Sequence, residues 1–127
     1  MSKIYYPVAF LPEEEGYSVR VPDLDGCYTQ GDTFDEAVEM AQDAIGLYLE
    51  GVSEVPAPSL PAQVALEQGE FVAVVPFDIL AYKRRHDTKA VKKTLTVPSW
   101  LNEAAEAAHI NFSSVLQAGL KQQLNIE

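Results

Sequence analysis

The stretch Val91-Lys92-Lys93-Thr94-Leu95-Thr96-Val97-Pro98-Ser99-Trp100 decides the fold, because it reads as half of a larger element. Lys92, Thr94 and Thr96 fall on one face of an extended chain, and Val91, Leu95 and Val97 on the other. That is the period-two pattern of a half-buried strand. Lys93 shares the apolar parity, so its stem is expected to follow that face while its ammonium reaches out to phosphate or solvent. Pro98 has no N–H to continue a ladder, and Ser99 is suited to cap a following helix. No second strand follows, and a lone strand leaves its backbone groups without partners. The most economical partner is the same strand of a second copy, related by two-fold symmetry. Such a ribbon shows Lys and Thr side chains on one face, and the major groove of DNA admits a two-stranded ribbon.

Downstream, the spacing predicts two helices. Trp100, Leu101, Ala104, Ala105 and Ala108 form the apolar side of the first. Asn111 can cap the second, in which Phe112, Val115, Leu116, Leu120 and Leu124 share a face. Gly119 inside it costs about 1 kcal/mol relative to alanine. Val91 to Leu124 is 34 residues, too few to bury a self-sufficient core. This part is expected to fold only when paired.

Upstream, Ile4 to Leu11 reads as a first strand, and Tyr17 to Val21 as its hairpin partner across the charged turn at Glu13-Glu14-Glu15-Gly16. Cys27 to Gln30 is a short third strand. Thr33 and Glu36 have capping-box spacing, opening a helix whose stripe includes Phe34, Ala37, Ala41, Ile45 and Leu49 and which Gly51 closes. Val55 to Pro61 is an irregular excursion, with a helical turn expected near Ala62 to Gln68. Phe71 to Phe77 suits a strand returning to the same sheet. Asp78 to Ala90 reads as a polar, basic connection.

The net charge of −10 hides a division. Residues 1–80 carry 15 acidic and 2 basic side chains, whereas residues 81–127 carry 4 acidic and 7 basic. Six of those basic residues (Lys83, Arg84, Arg85, Lys89, Lys92 and Lys93) lie between positions 83 and 93. The first part repels nucleic acid and suits a basic partner, and the second attracts phosphates. No apolar run approaches the ~18 residues of a membrane span, and no secretory h-region is visible at the start. Cys27, the single cysteine, has no partner for an internal disulfide. A cytoplasmic protein is the expectation.

Strand, helix, helix with pairing across a dimer resembles the ribbon-helix-helix fold of Arc- and MetJ-like repressors. The residues that carry this are Lys92-Lys93-Thr94-Leu95-Thr96-Val97-Pro98 and Asn111-Phe112-Ser113. In the first part, Tyr6-Pro7-Val8, Tyr17-Ser18-Val19, Val21-Pro22-Asp23-Leu24-Asp25-Gly26-Cys27 and Gly31-Asp32-Thr33 followed by Ala37 strongly resemble the HicB antitoxin family. The resemblance covers essentially the whole chain. It implies an α+β architecture: a partial RNase-H-like β-β-β-α-β domain over 1–80, a basic linker over 81–90, and a ribbon-helix-helix domain over 91–127. It also implies an antitoxin that binds a HicA-like mRNA-cleaving toxin and represses its own operon as a homodimer. Assembly of dimers into tetramers is left open.

Lys92, Thr94 and Thr96 are the expected base-edge contacts, since Lys reaches guanine O6/N7 and Thr can bond a base or touch a thymine methyl. Asn111 and the N–H groups of Phe112 and Ser113 are expected to hold a phosphate, although a plain helix cap explains them as well. Asp23 and Asp25 invite a metal-nuclease reading, because RNase-H-like enzymes cluster carboxylates around Mg²⁺. Two loop aspartates are ordinary turn residues, however, and the family's domain lacks the usual catalytic set. Neither His86 nor His109 has metal-ligand spacing. The expectation is therefore no catalysis, no metal and no cofactor. A nuclease, or a DNA-binding regulator without a toxin, is the alternative.

Overall fold

The computed structural model of the chain describes residues 3–87 and 89–126. The chain divides into two compact units, Met1–Lys89 and Ala90–Glu127.

The first unit runs β1 (Lys3–Pro12), β2 (Tyr17–Arg20), β3 (Tyr28–Gly31), α1 (Phe34–Glu50), a 3₁₀ turn (Pro61–Gln63), β4 (Phe71–Asp78) and α2 (Ile79–His86). The four strands form one antiparallel sheet in the order β3-β2-β1-β4, so the late strand returns beside the first. Tyr6 stands opposite Val75, and Phe10 opposite both Phe71 and Val19. Strand alternation therefore gathers Tyr6, Val8, Phe10, Val19, Val75 and Phe77 into the same core as Ala37, Ala41, Ile45 and Leu49 of α1. Pro7 sits inside β1 without breaking it. The β2 ladder reaches only to Ala9, so on that side no N–H is needed at Pro7.

The sequence motifs explain how the helix is set against the sheet. In the loop after β2, the Leu24 N–H bonds the Val21 carbonyl, the Cys27 N–H bonds the Leu24 carbonyl, and the Val21 N–H bonds the Cys27 carbonyl, all at 3.0 Å. These tight turns drive Leu24 into the core, and Gly26 takes the positive φ of 77° that they require. Thr33 caps α1 by accepting from the Glu36 N–H at 3.1 Å, while the Glu36 carboxylate accepts from the Asp32 N–H at 3.2 Å. Gly31 is buried where any Cβ would run into the backbone of Ala37, which lets the first turn of α1 lie directly on β3.

Three expectations need correction in this unit. The helical turn expected near Ala62 to Gln68 is Pro61–Gln63, because proline at the first helical position starts it earlier. The third strand begins at Tyr28, since Cys27 is held in the preceding turn. The larger correction is to the basic connection over 81–90, most of which is the helix α2. The Asp78 carboxylate accepts from the Leu80 and Ala81 N–H groups at 3.0 and 3.2 Å, and Tyr82 buries its ring. An acidic cap and one aromatic anchor outweigh a polar composition.

The second unit holds α3 (Ser99–Ala107) and α4 (Phe112–Gln123). Ser99 is the first helical residue and makes no capping bond; Pro98 occupies the cap position with φ −53° and ψ 140°. Its carbonyl accepts from the Asn102 N–H at 3.0 Å. The expected strand over Val91 to Val97 is not formed in the single chain: 89–98 carries no strand and no ladder partner. Backbone pairing needs a second extended segment, and this chain supplies none there.

Candidate partner-binding surfaces

In the second unit, no described residue is buried. Val91 is 81 % and Trp100 70 % exposed, and Leu95, Leu101, Phe112, Val115, Leu120 and Leu124 are also open to solvent. A monomeric protein seldom exposes so continuous an apolar surface. Leu95, Val97, Leu101, Ile110, Phe112 and Leu116 line an apolar trough of about 600 Å³. Lys93 lies on its wall, whereas Lys92, Thr94 and Thr96 do not line it. The two parities of the extended segment thus have different surroundings, one along the trough and the other away from it.

Asn111 caps α4, its side-chain oxygen accepting from the Ser114 N–H at 3.1 Å. The Phe112 and Ser113 side chains line the trough. Gly119 has open space where a Cβ would stand, so nothing within the single chain requires glycine there.

The first unit presents carboxylates. Among its described residues, Glu70 and Asp43 are the two with a basic side chain within ion-pair distance. Arg20 grips Glu70 with two bonds of 2.8 and 2.7 Å and also donates to the Ala65 carbonyl at 2.8 Å. Those bonds hold the Glu70 carboxyl below the usual carboxylate range. One of the two basic residues in 1–80 is therefore committed internally. The acids on the Glu13-Glu14-Glu15 turn, and Asp35 and Glu39 on α1, remain exposed.

Asp23 is structural. Its carboxylate oxygens accept from the Ser59 N–H at 2.8 Å and the Ser59 hydroxyl at 2.6 Å. Nearby, the Tyr6 hydroxyl donates to the Pro56 carbonyl at 2.6 Å. Together these bonds pin the proline-rich excursion to the sheet, and no cluster of three His, Cys, Asp or Glu suited to a metal occurs among the described residues. Cys27 is buried, and burial pushes its thiol pKa up. No helix among the described residues is long and apolar enough to cross a membrane.

The sequence reading missed the contacts around α2. Asp43 of α1 meets Arg85 at 2.9 Å and His86 at 3.5 Å, and the Tyr82 ring lies between Phe77 and His86 with centroids 5.8 and 4.2 Å apart. The Asp78-to-Tyr82 spacing was the available signal, a cap followed by an anchor.

Comparison with known proteins agrees with this architecture. A family profile for HicB-like antitoxins of bacterial toxin-antitoxin systems matches residues 6–119. Antitoxin HicB 2 of Photorhabdus laumondii is 31% identical over 116 residues, covering 86% of this chain and 84% of that protein. An uncharacterised 14.9 kDa protein of Haemophilus phage HP1 is 36% identical over 104 residues, covering 76% of this chain and 74% of its own length. A toxin-antitoxin complex from Streptococcus pneumoniae contains a chain of similar fold, with a TM-score of 0.59 at 24% identity, covering 96% of this chain and 99% of that one. With the profile spanning nearly the whole chain and a curated antitoxin aligned along most of it, this protein belongs to the HicB-like antitoxin family, whose members are not enzymes.

Proposed function

We propose that this HicB-type antitoxin neutralises a HicA-like, mRNA-cleaving toxin through its acidic first unit and represses its own operon through its second. In this reading two second units pair as a ribbon-helix-helix homodimer. Val91 to Val97 supplies one strand from each copy, and the apolar trough closes against its mate. Lys92, Thr94 and Thr96 then face base edges, Lys93 reaches a phosphate, and Asn111 with the Phe112 and Ser113 N–H groups holds the backbone at the start of α4. The first unit is the partial RNase-H-like domain of the family. A ribonuclease toxin must present cations to RNA, and exposed carboxylates on the antitoxin compete for them.

The single observation that carries the reading is the second unit's want of any buried described residue, beside exposed Leu95, Phe112, Leu116 and Leu120. A structure of that kind needs a mate. Co-purification with the product of the adjacent reading frame, followed by binding to the upstream DNA, tests both halves. The expected outcome is a stable complex without RNA cleavage that prefers upstream DNA over random duplex. Undiminished cleavage in the mixture overturns the toxin half, and equal affinity for all duplexes overturns the repressor half.

A further inference from the structure

We propose that α2, which belongs to the acidic first unit, is a second DNA-contacting element, in which Lys83 and Arg84 hold phosphates of the duplex backbone. This rests on the DNA-binding reading of the second unit, but concerns residues outside the ribbon and the α4 cap.

The helix is fixed on one side. Asp78 caps its start, Tyr82 is buried against Gly46, and Arg85 and His86 lie against Asp43. Successive helical residues are separated by about 100°, so Arg84 stands roughly opposite Tyr82 and Lys83 lies between. Both are exposed, and among the described residues neither has a carboxylate within ion-pair distance. Cations near a helix C-terminus are favoured by its dipole, which by itself accounts for basic residues in the last turn. It does not reach Lys89, Lys92 and Lys93, which continue the same charge run past the helix end. In a unit otherwise dominated by carboxylates, a rigid basic helix gives one region that DNA attracts rather than repels. Phosphate contacts of this kind set affinity and salt dependence and read no sequence.

The test is DNA binding by the full-length protein across a salt series of about 50 to 200 mM, on both upstream and random duplexes. K83A/R84A is compared with wild type and with the charge-preserving K83R/R84K. Each lost phosphate contact lowers the log–log salt slope by about 0.9, so a dimer with both positions changed loses about 3 to 4. The expected result is that loss on both duplexes, an unchanged preference ratio, and a near-wild-type slope for K83R/R84K. A wild-type slope in K83A/R84A overturns the proposal and leaves the repressor reading intact. A reduced slope with no preference for upstream DNA in any variant overturns the repressor reading and retains this one. Absence of wild-type binding to any duplex overturns both. Circular dichroism confirms that the variants keep α2, since alanine favours helix at exposed sites.

Discussion

The ring of Tyr82 occupies the space into which a Cβ on Gly46 would project. Gly46 lies in the middle of α1, where alanine would ordinarily add about 1 kcal/mol of helix stability. Here the added methyl meets a ring packed between Phe77 and His86, with little room to withdraw. Overpacking of this kind costs about 1–3 kcal/mol. Gly46→Ala is therefore expected to lower the stability of the first unit by up to about 2 kcal/mol, read as a reduced urea midpoint. An unchanged or higher midpoint would show that Tyr82 moves freely.

Arg20→Ala removes three donor bonds and leaves Glu70, only 6 % exposed, without its cation. Because the Arg20 side chain is itself a quarter exposed, the cost is set below that of a fully buried pair, at about 1–3 kcal/mol. The pH dependence has a definite sign. The Glu70 carboxyl is held below its ordinary value of 4.5, so its stabilising contribution is present above that value. It is lost as pH falls through the lower folded value. Wild type should lose stability on acidification below about pH 4.5 more steeply than Arg20→Ala, as followed by urea melts along a pH series. Parallel profiles would contradict the assignment.

Leu95→Asp places a carboxylate on the wall of the apolar trough. Burial of an unpaired charge costs several kcal/mol, enough to abolish pairing at micromolar protein. Light scattering should report a monomer, and helical signal from α3 and α4 should fall while the first unit melts as before. A dimer that survives the substitution would place the interface elsewhere.

Thr94→Ala should reduce preference for upstream DNA by about five- to tenfold, roughly 1 kcal/mol, with little change on random duplex. Competition binding with labelled upstream DNA measures both quantities. An equal loss on every sequence would assign Thr94 to backbone contact.

Much of the first unit could be read from residue order, because its motifs are local. Thr33 and Glu36 announce a cap and Tyr17 and Val19 alternate, whereas the close approach of Gly31 to Ala37 is visible only in the structure. α2 could be read only in part: the Asp78 cap is local, but Tyr82 matters through α1, and the facing residues Asp43 and Gly46 are more than thirty positions earlier. The Arg20–Glu70 pair is hidden for the same reason, bridging 50 residues. Ser99 was misplaced by one position because Pro98 fixes its own φ in a way that suits the cap. The parity of 91–97 was legible and matches the lining of the trough, although the pairing proposed for it involves a second molecule and is absent from the single chain.

The openness of the second unit has a consequence for quantity. Under the pairing proposed, folding there is second order in protein, so its free energy shifts with the logarithm of abundance. Under the same proposal, plentiful copies let tails find one another and silence the gene. When they become scarce, tails come apart and are exposed to proteases while the first unit keeps its shape. The cell's supply of antitoxin would thereby be gauged by a folding equilibrium, with no dedicated sensor.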